Sequence, residues 1–230
     1  METMHPEVYE QWIAPFTGGD VVRESATYRL AVNEQLEDGE RVQILVRPNR
    51  TYVLVSPEVR DLPGIADAGN EEALRTALSA SGIALNGPDH LFFLDDASKQ
   101  RLQETEDPGH VRRLTEADAA AFEAFQAGVS EADLDGASVE LDHWMVFGAF
   151  SGDTLVAAGS SYPFEEGVAL ADMGVVSHPE HRGHGHARSV IYALARGALA
   201  AQHEPQYRCQ IDNISSVKLA TRSGFASIGT

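Results

Sequence analysis

The stretch that most constrains the fold runs from Val168 to Ala201. An apolar run, VALADMGVV (Val168 to Val176), reads as a strand. It leads through SHPEHRGHGHA into a segment where Val190, Ile191, Leu194 and Ala198 fall on one helical face. A strand joined to a helix by so short a glycine turn must lay that helix back across its own sheet. This predicts strand and helix layers around one core. Glycine at positions 183 and 185 also leaves the backbone N–H groups at the helix start open to an anion, whose charge the helix dipole favours.

Flanking segments extend the layers. HVRRL (from His110) reads as a strand, and Thr115 with Asp118 forms a capping-box pattern opening the helix EADAAAFEAFQAG. WMVFGAFS and TLVAAGSSY are strands joined at Gly152-Asp153, a hairpin signal. QYRCQID is a further strand, and NISSVKLATRSGF is a short helix capped by Asn213 and stopped at Gly224. The expected fold is therefore α/β (α+β), with a mostly antiparallel central sheet flanked by helices.

Residues 1–95 read as a separate mixed α/β accessory domain. RVQILVRP and RTYVLVSP form a hairpin around Pro48-Asn49, Asn70 caps a helix ending at Gly82, and HLFFL (His90 to Leu94) is a strand. Residues 96–108, polar and closed by Pro-Gly, are expected to be a linker, leaving 109–230 as the second domain.

Composition excludes several function classes. The 230 residues carry 35 acidic and 17 basic side chains, a net charge of −18, of which −11 falls on residues 1–108 and −7 on 109–230. Such a surface disfavours nucleic acid and anionic membrane and attracts cations. No apolar run reaches membrane-spanning length and the N-terminus lacks a signal-peptide pattern, so a soluble, cytoplasmic protein is expected. The single cysteine, Cys209, excludes an intrachain disulfide and reads as a strand residue.

His178, His181, His184 and His186 raise a metal reading, which their spacing argues against. His184 and His186 diverge on a helix, and a proline separates His178 from His181. No metal is expected. The phosphate reading is stronger, with Arg182 adding a fixed bidentate cation.

At ADMGVVSHPEHRGHGHA the chain resembles the GNAT superfamily of acyl-CoA-dependent N-acetyltransferases. That family carries an apolar strand followed by Val-x-x-Pro-x-x-Arg-Gly-x-Gly-x-Ala, and DNISSVKLATRSGF matches its later Asn-x-x-Ser and Gly-Phe segment. The resemblance covers about residues 109–230; residues 1–95, with their hairpin, helix and strand but no cradle motif, are expected to be either an unrelated accessory domain or a degenerate copy of the same fold. It implies that N–H groups from Arg182 through Gly183, His184, Gly185 and His186 to Ala187 hold the pyrophosphate of acetyl-CoA, the co-substrate. It further implies that the Val176 backbone pairs with the pantetheine arm and that Asn213 and Ser216 lie beside the cofactor.

Two positions depart from the family pattern. Glu180 stands where a Gln or Arg is usual, so protonated His184 and His186 are expected to compensate, with cofactor affinity falling as pH rises past roughly 6.5. Ala220 stands where many members carry a tyrosine that protonates the leaving thiolate, which leaves Ser216, Tyr207 or water for that role.

Asp172, sharing a strand face with Val176, is the expected general base. Glu140, Asp142 and the adjoining His143 are expected to rim an amine pocket. The resulting expectation is direct acetyl transfer to a primary amine, more readily a small cationic molecule than a protein. The alternative is a non-catalytic acyl-CoA-binding or sensing module. A second copy of the chain, forming a homodimer, is a further expectation, because the last strand is short enough to accept a partner strand.

Overall fold

The computed structural model describes residues 4–105 and 108–230. The chain divides into two compact units, Met4–His90 with Ser227–Thr230, and Leu91–Ala226.

In the first unit, helix α1 (Pro6–Trp12) precedes strands β1 (Asp20–Glu24), β2 (Tyr28–Val32), β3 (Val42–Arg47) and β4 (Arg50–Val55). Helices α2 (Pro57–Arg60) and α3 (Glu71–Ala80) follow. The sheet order is β1-β2-β4-β3. β3 and β4 form the expected hairpin, with Arg47 opposite Arg50, while β2 pairs with β4 in parallel. Leu30, Val53, Val55, Ile65, Leu74 and Leu78 build a core between this sheet and α3. The Asn70 side chain caps α3 by accepting the Ala73 N–H at 2.8 Å.

The second unit holds most of a seven-stranded sheet. Its elements are β5 (Asp89–Leu94), α4 (Asp96–Glu104), β6 (Val111–Arg113), α5 (Ala119–Gln126), α6 (Glu131–Ala137), β7 (Met145–Ser151), β8 (Thr154–Pro163) and β9 (Leu170–Ser177). Then come α7 (His186–Ala200), β10 (Glu204–Gln210), α8 (Ile214–Arg222) and β11 (Phe225–Gly229). The strand order is β11-β5-β10-β9-β8-β7-β6, and the start of β5 (through His90) and the end of β11 (from Ser227) belong to the first unit.

Two expectations are corrected here. β5, assigned from sequence to the accessory domain, inserts between β10 and β11, because a strand's sheet partner is fixed by non-local pairing. The linker segment 96–108 contains helix α4, capped by the Asp95 carboxylate on the Ser98 N–H at 2.6 Å. α4 buries Leu102 in the core, and its last carbonyls accept from Arg196 Nη1 on α7. Glu106 and Asp107, also in that segment, lie outside the described residues. The short β11 finds its neighbour, β5, in the same chain.

Helices cover both sheet faces. α7 packs Val190, Ile191 and Leu194 against Met145, Ala157, Ala171 and Met173. A Cβ on Gly159 would stand 2.7 Å from Val190 Cγ1, so glycine is what allows α7 this close to β8. On the other face Phe122, Phe125, Leu134 and Val139 pack on Val146, Leu155, Ala158 and Val176. Among the described residues no helix is long and apolar enough to cross a membrane.

Candidate functional site

The site is built where β9 and β10 part. Their parallel pairing runs from Leu170 opposite Glu204 to Met173 opposite Tyr207 and goes no further, although β9 continues to Ser177 and β10 to Gln210. β9 stays paired with β8 to its end, with Ser177 opposite Ala157. The sheet therefore forks at Gly174, leaving one edge of β9 without a strand.

Backbone direction alternates along a strand, which identifies the residues facing that fork. The Ala169 carbonyl accepts from Glu204 on the β10 side, whereas the His178 N–H donates to Val156 on the β8 side. Odd-numbered residues of β9 thus turn their N–H and C=O toward the fork. The backbone expected at Val176 is directed to β8, and Val175 is the residue that presents its peptide groups to the gap. The sequence motif could not separate these neighbours, because a shift of one residue reverses the direction.

Beyond the fork comes the cradle. Pro179–His181 forms one 3₁₀ turn, and Gly183 and Gly185 both sit at positive φ, 82° and 86°. Gly185 is the N-cap of α7, and Ser189 is the first residue to bond back, to the Gly185 carbonyl at 3.1 Å. Among the described residues no backbone carbonyl takes up the N–H groups from Gly183 to Arg188. The space above Gly183 is open, with no atom within 4 Å of a Cβ placed there. Six donors at a helix N-terminus beside open space suit a diphosphate.

Side chains around the cradle have local partners. Arg182 donates to Asp133 on α6 at 3.0 Å, an exposed pair that an anion can replace at small cost. The His184 ring nitrogen lies 3.3 Å from the His181 carbonyl. The His178 ring occupies the space that a Cβ on Gly128 would fill, so its role is packing. His186 has a buried Nδ1 without a partner among the described residues and meets the His110 ring at 5.5 Å and the His184 ring at 6.1 Å. Burial first, then the neighbouring His110, His184 and His181, push its pKa below the usual histidine value. No group of three His, Cys, Asp or Glu side chains among the described residues converges as metal ligands.

On the β10 side, Asn213 serves as the N-cap of α8, its Oδ1 accepting from the Ser216 N–H at 3.1 Å and the Ser215 hydroxyl at 2.8 Å. The Ser216 side chain hydrogen-bonds the phenol of Tyr207, whose pKa burial pushes up to about 12. Tyr207 stands at the last paired position before the fork, and Ala220 behind it is fully buried.

Asp172 is not placed to act as a base. It is 5 % exposed, and its oxygens accept from Gln206 Nε2 at 2.8 Å and from Arg208 Nε and Nη2 at 3.1 and 2.5 Å. Even-numbered residues of β9 and β10 project to the α6 face, and the parallel register sets Gln206 opposite Asp172. A carboxylate clamped by a guanidinium and an amide is a structural brace. Glu140 and Asp142 are exposed in the loop before β7, away from any ion pair among those described.

The same face carries a cluster that sequence reasoning did not assemble. His143 Nδ1 lies 2.8 Å from the buried Ser160 hydroxyl, and its ring meets Tyr162 at 4.9 Å. Tyr162 stands opposite Asp172, and the Arg208 guanidinium lies over Phe164 at 5.2 Å. Alternation along β8 was visible in the sequence; the crossing of the loop above it was not.

The family model for the acetyltransferase (GNAT) family matches residues 111–225. The chain belongs to the GNAT acetyltransferase family. Among solved structures, an acetyltransferase of the GNAT family from Colwellia psychrerythraea aligns with TM-score 0.51 and 21 % identity, over 67 % of this chain and 58 % of that one. A GNAT-family protein from Novosphingobium aromaticivorans aligns with TM-score 0.46 and 20 % identity, over 61 % and 60 %. The yncA protein from Salmonella typhimurium, solved with acetyl-CoA, aligns with TM-score 0.42 and 20 % identity over 50 % and 78 %. The chain thus spans less than two thirds of the first two. Among curated proteins none matches this sequence. The GNAT match covers the fork, the cradle and α8, and leaves β5 and the first unit outside it.

Proposed function

We propose that this chain moves an acetyl group from acetyl-CoA to the primary amine of a small-molecule acceptor by direct attack. The observation that carries the reading is the strand fork at Gly174 leading into the open N–H cradle of Gly183 to Arg188. Bound acetyl-CoA supplies an acyl group already activated as a thioester. The cradle N–H groups and Arg182 bind its diphosphate, and the Val175 peptide groups align the arm as a missing strand would. Tyr207, kept protonated by burial, takes the place of the hydroxyl that Ala220 lacks and holds a proton for the leaving thiolate. The net charge of −18 favours a cationic acceptor.

Calorimetric titration with acetyl-CoA in chelator-containing buffer tests this. Wild type is expected to bind, and the double variant Gly183→Val, Gly185→Val to lose affinity by tenfold or more (about 1.4 kcal/mol or more), since a branched residue at positive φ rebuilds the turn. No binding by wild type refutes the proposal. A second reading, an acyl-CoA-binding module without chemistry, draws on the occupied Asp172 carboxylate and on Ala220. Binding without release of CoA thiol to any of a panel of amines would favour it.

A further inference from the structure

Resting on that reading, we infer that His143 is the group that takes the proton from the acceptor amine, with Ser160 orienting its ring. The loop 138–144 leaves the end of α6, whose last carbonyl, Ala137 O, sits so close over Gly174 that a Cβ there would lie 1.9 Å away. It then crosses to β8, where His143 Nδ1 meets Ser160 Oγ at 2.8 Å. Ser160 is directly opposite Gly174, the first residue past the end of the β9–β10 pairing. Adjacent strands lie about 4.8 Å apart, so the imidazole stands one strand from the crotch of the fork, on the face opposite α7.

The hydrogen bonding leaves His143 with one working nitrogen. Ser160 is fully buried, and His143 Nδ1 is the partner described for its hydroxyl. In the tautomer whose Nδ1–H donates to Ser160 Oγ, the lone pair of Nε2 is free to accept a proton, and no described residue hydrogen-bonds it. The groups around the ring do not compete for the role. Tyr162 on β8 has its pKa raised by burial and by Asp172, Asp172 on β9 is clamped by Arg208 on β10, and Glu140 and Asp142 of the same loop are exposed. Imidazole is also the side chain suited to exchange a proton near neutral pH.

Nε2 accepts one proton from the ammonium form of the acceptor, leaving a neutral amine. The amine nitrogen forms the N–C bond to the thioester carbonyl, and the C–S bond breaks with its electron pair going to sulfur. The Tyr207 phenol donates its proton to the leaving sulfur, which ends as the thiol, the nitrogen's second proton restores the phenol by way of solvent, and His143 returns the proton it took to solvent.

Carbethoxylation of histidines by diethyl pyrocarbonate, mapped by mass spectrometry with and without saturating acetyl-CoA, reads the geometry without an acceptor. His143 is expected to be modified readily in the apo protein and at least fivefold more slowly with acetyl-CoA. His143→Gln, which keeps a hydrogen bond to Ser160, is expected to bind acetyl-CoA as wild type does. With tyramine and spermidine as probe amines its kcat should fall about 10²-fold or more and the ascending limb of the pH profile should disappear. Ser160→Ala is expected to reduce kcat less and to shift that limb. Acetyl-CoA binding without protection of His143, or transfer by His143→Gln at the wild-type rate and pH profile, overturns the assignment alone. Absence of acetyl-CoA binding overturns the acetyl-transfer reading and this one with it.

Discussion

Replacing Asp172 by Asn separates a brace from a base. The carboxylate is buried and bidentate to Arg208, whose side chain is 34 % exposed. Breaking a fully buried pair typically costs about 3–5 kcal/mol. Arg208 can turn partly to water, which screens the loss, so the expected destabilisation is about 2 kcal/mol. For a chain of this size that corresponds to a fall in Tm of about 4–8 °C, read by differential scanning calorimetry. An Asp172→Asn, Arg208→Ala double-mutant cycle should return a coupling of similar size, about 2 kcal/mol, because each single variant strands the other partner. The pH profile of acetyl transfer should keep its ascending limb, with kcat altered only as far as the β9–β10 register loosens. A variant with unchanged Tm, no coupling to Arg208 and a lost ascending limb would refute the argument and restore Asp172 as the base.

Gly174→Ala should be severely damaging, since its Cβ would meet the Ala137 carbonyl oxygen at 1.9 Å. A loss of about 3 kcal/mol, the upper end for overpacking, is expected from thermal unfolding, with acetyl-CoA affinity reduced as α6 is displaced from the fork. Tyr28→Phe should do the reverse: the buried Tyr28 hydroxyl has no partner among the described residues and burial pushes its pKa up to about 12, so removing it should stabilise the first unit by about 1 kcal/mol in urea unfolding. His186 should make acetyl-CoA binding pH-dependent. Because its folded pKa is lowered, it is neutral at pH 7, its contribution to stability is complete above about 6.5 and declines as pH falls below that, and diphosphate binding should take up a proton in the same acidic window. Calorimetry in buffers of different ionisation enthalpy measures that uptake, and an affinity flat from pH 5.5 to 8 would remove the histidine from phosphate binding.

The features legible in the sequence are those whose physics is local. Gly183 and Gly185 announce a left-handed backbone that other residues resist, Thr115 with Asp118 and Asn213 with Ser216 announce helix starts through side chains that reach only three residues, and Gly152-Asp153 closes a hairpin on itself. What escaped depends on register and on which strands meet. Nothing in HLFFL distinguishes a strand closing the first unit from one that slips between β10 and β11, because both environments ask for the same apolar residues. The pairing of Asp172 with Arg208 needs a parallel register between strands separated by a whole helix, so an acid beside the cradle read as chemistry when it is scaffolding. The error has a mirror image in His143. A loop histidine directly after Asp142 reads as part of a charged rim to an amine pocket, and it becomes the candidate proton acceptor only once Ser160 is seen to lie across from Gly174 and α6 is seen to end above that glycine. In a sheet that forks, the residues nearest the chemistry are chosen by where pairing stops. That position is a property of two strands together, which is why the cradle can be read from one segment and the proton acceptor cannot.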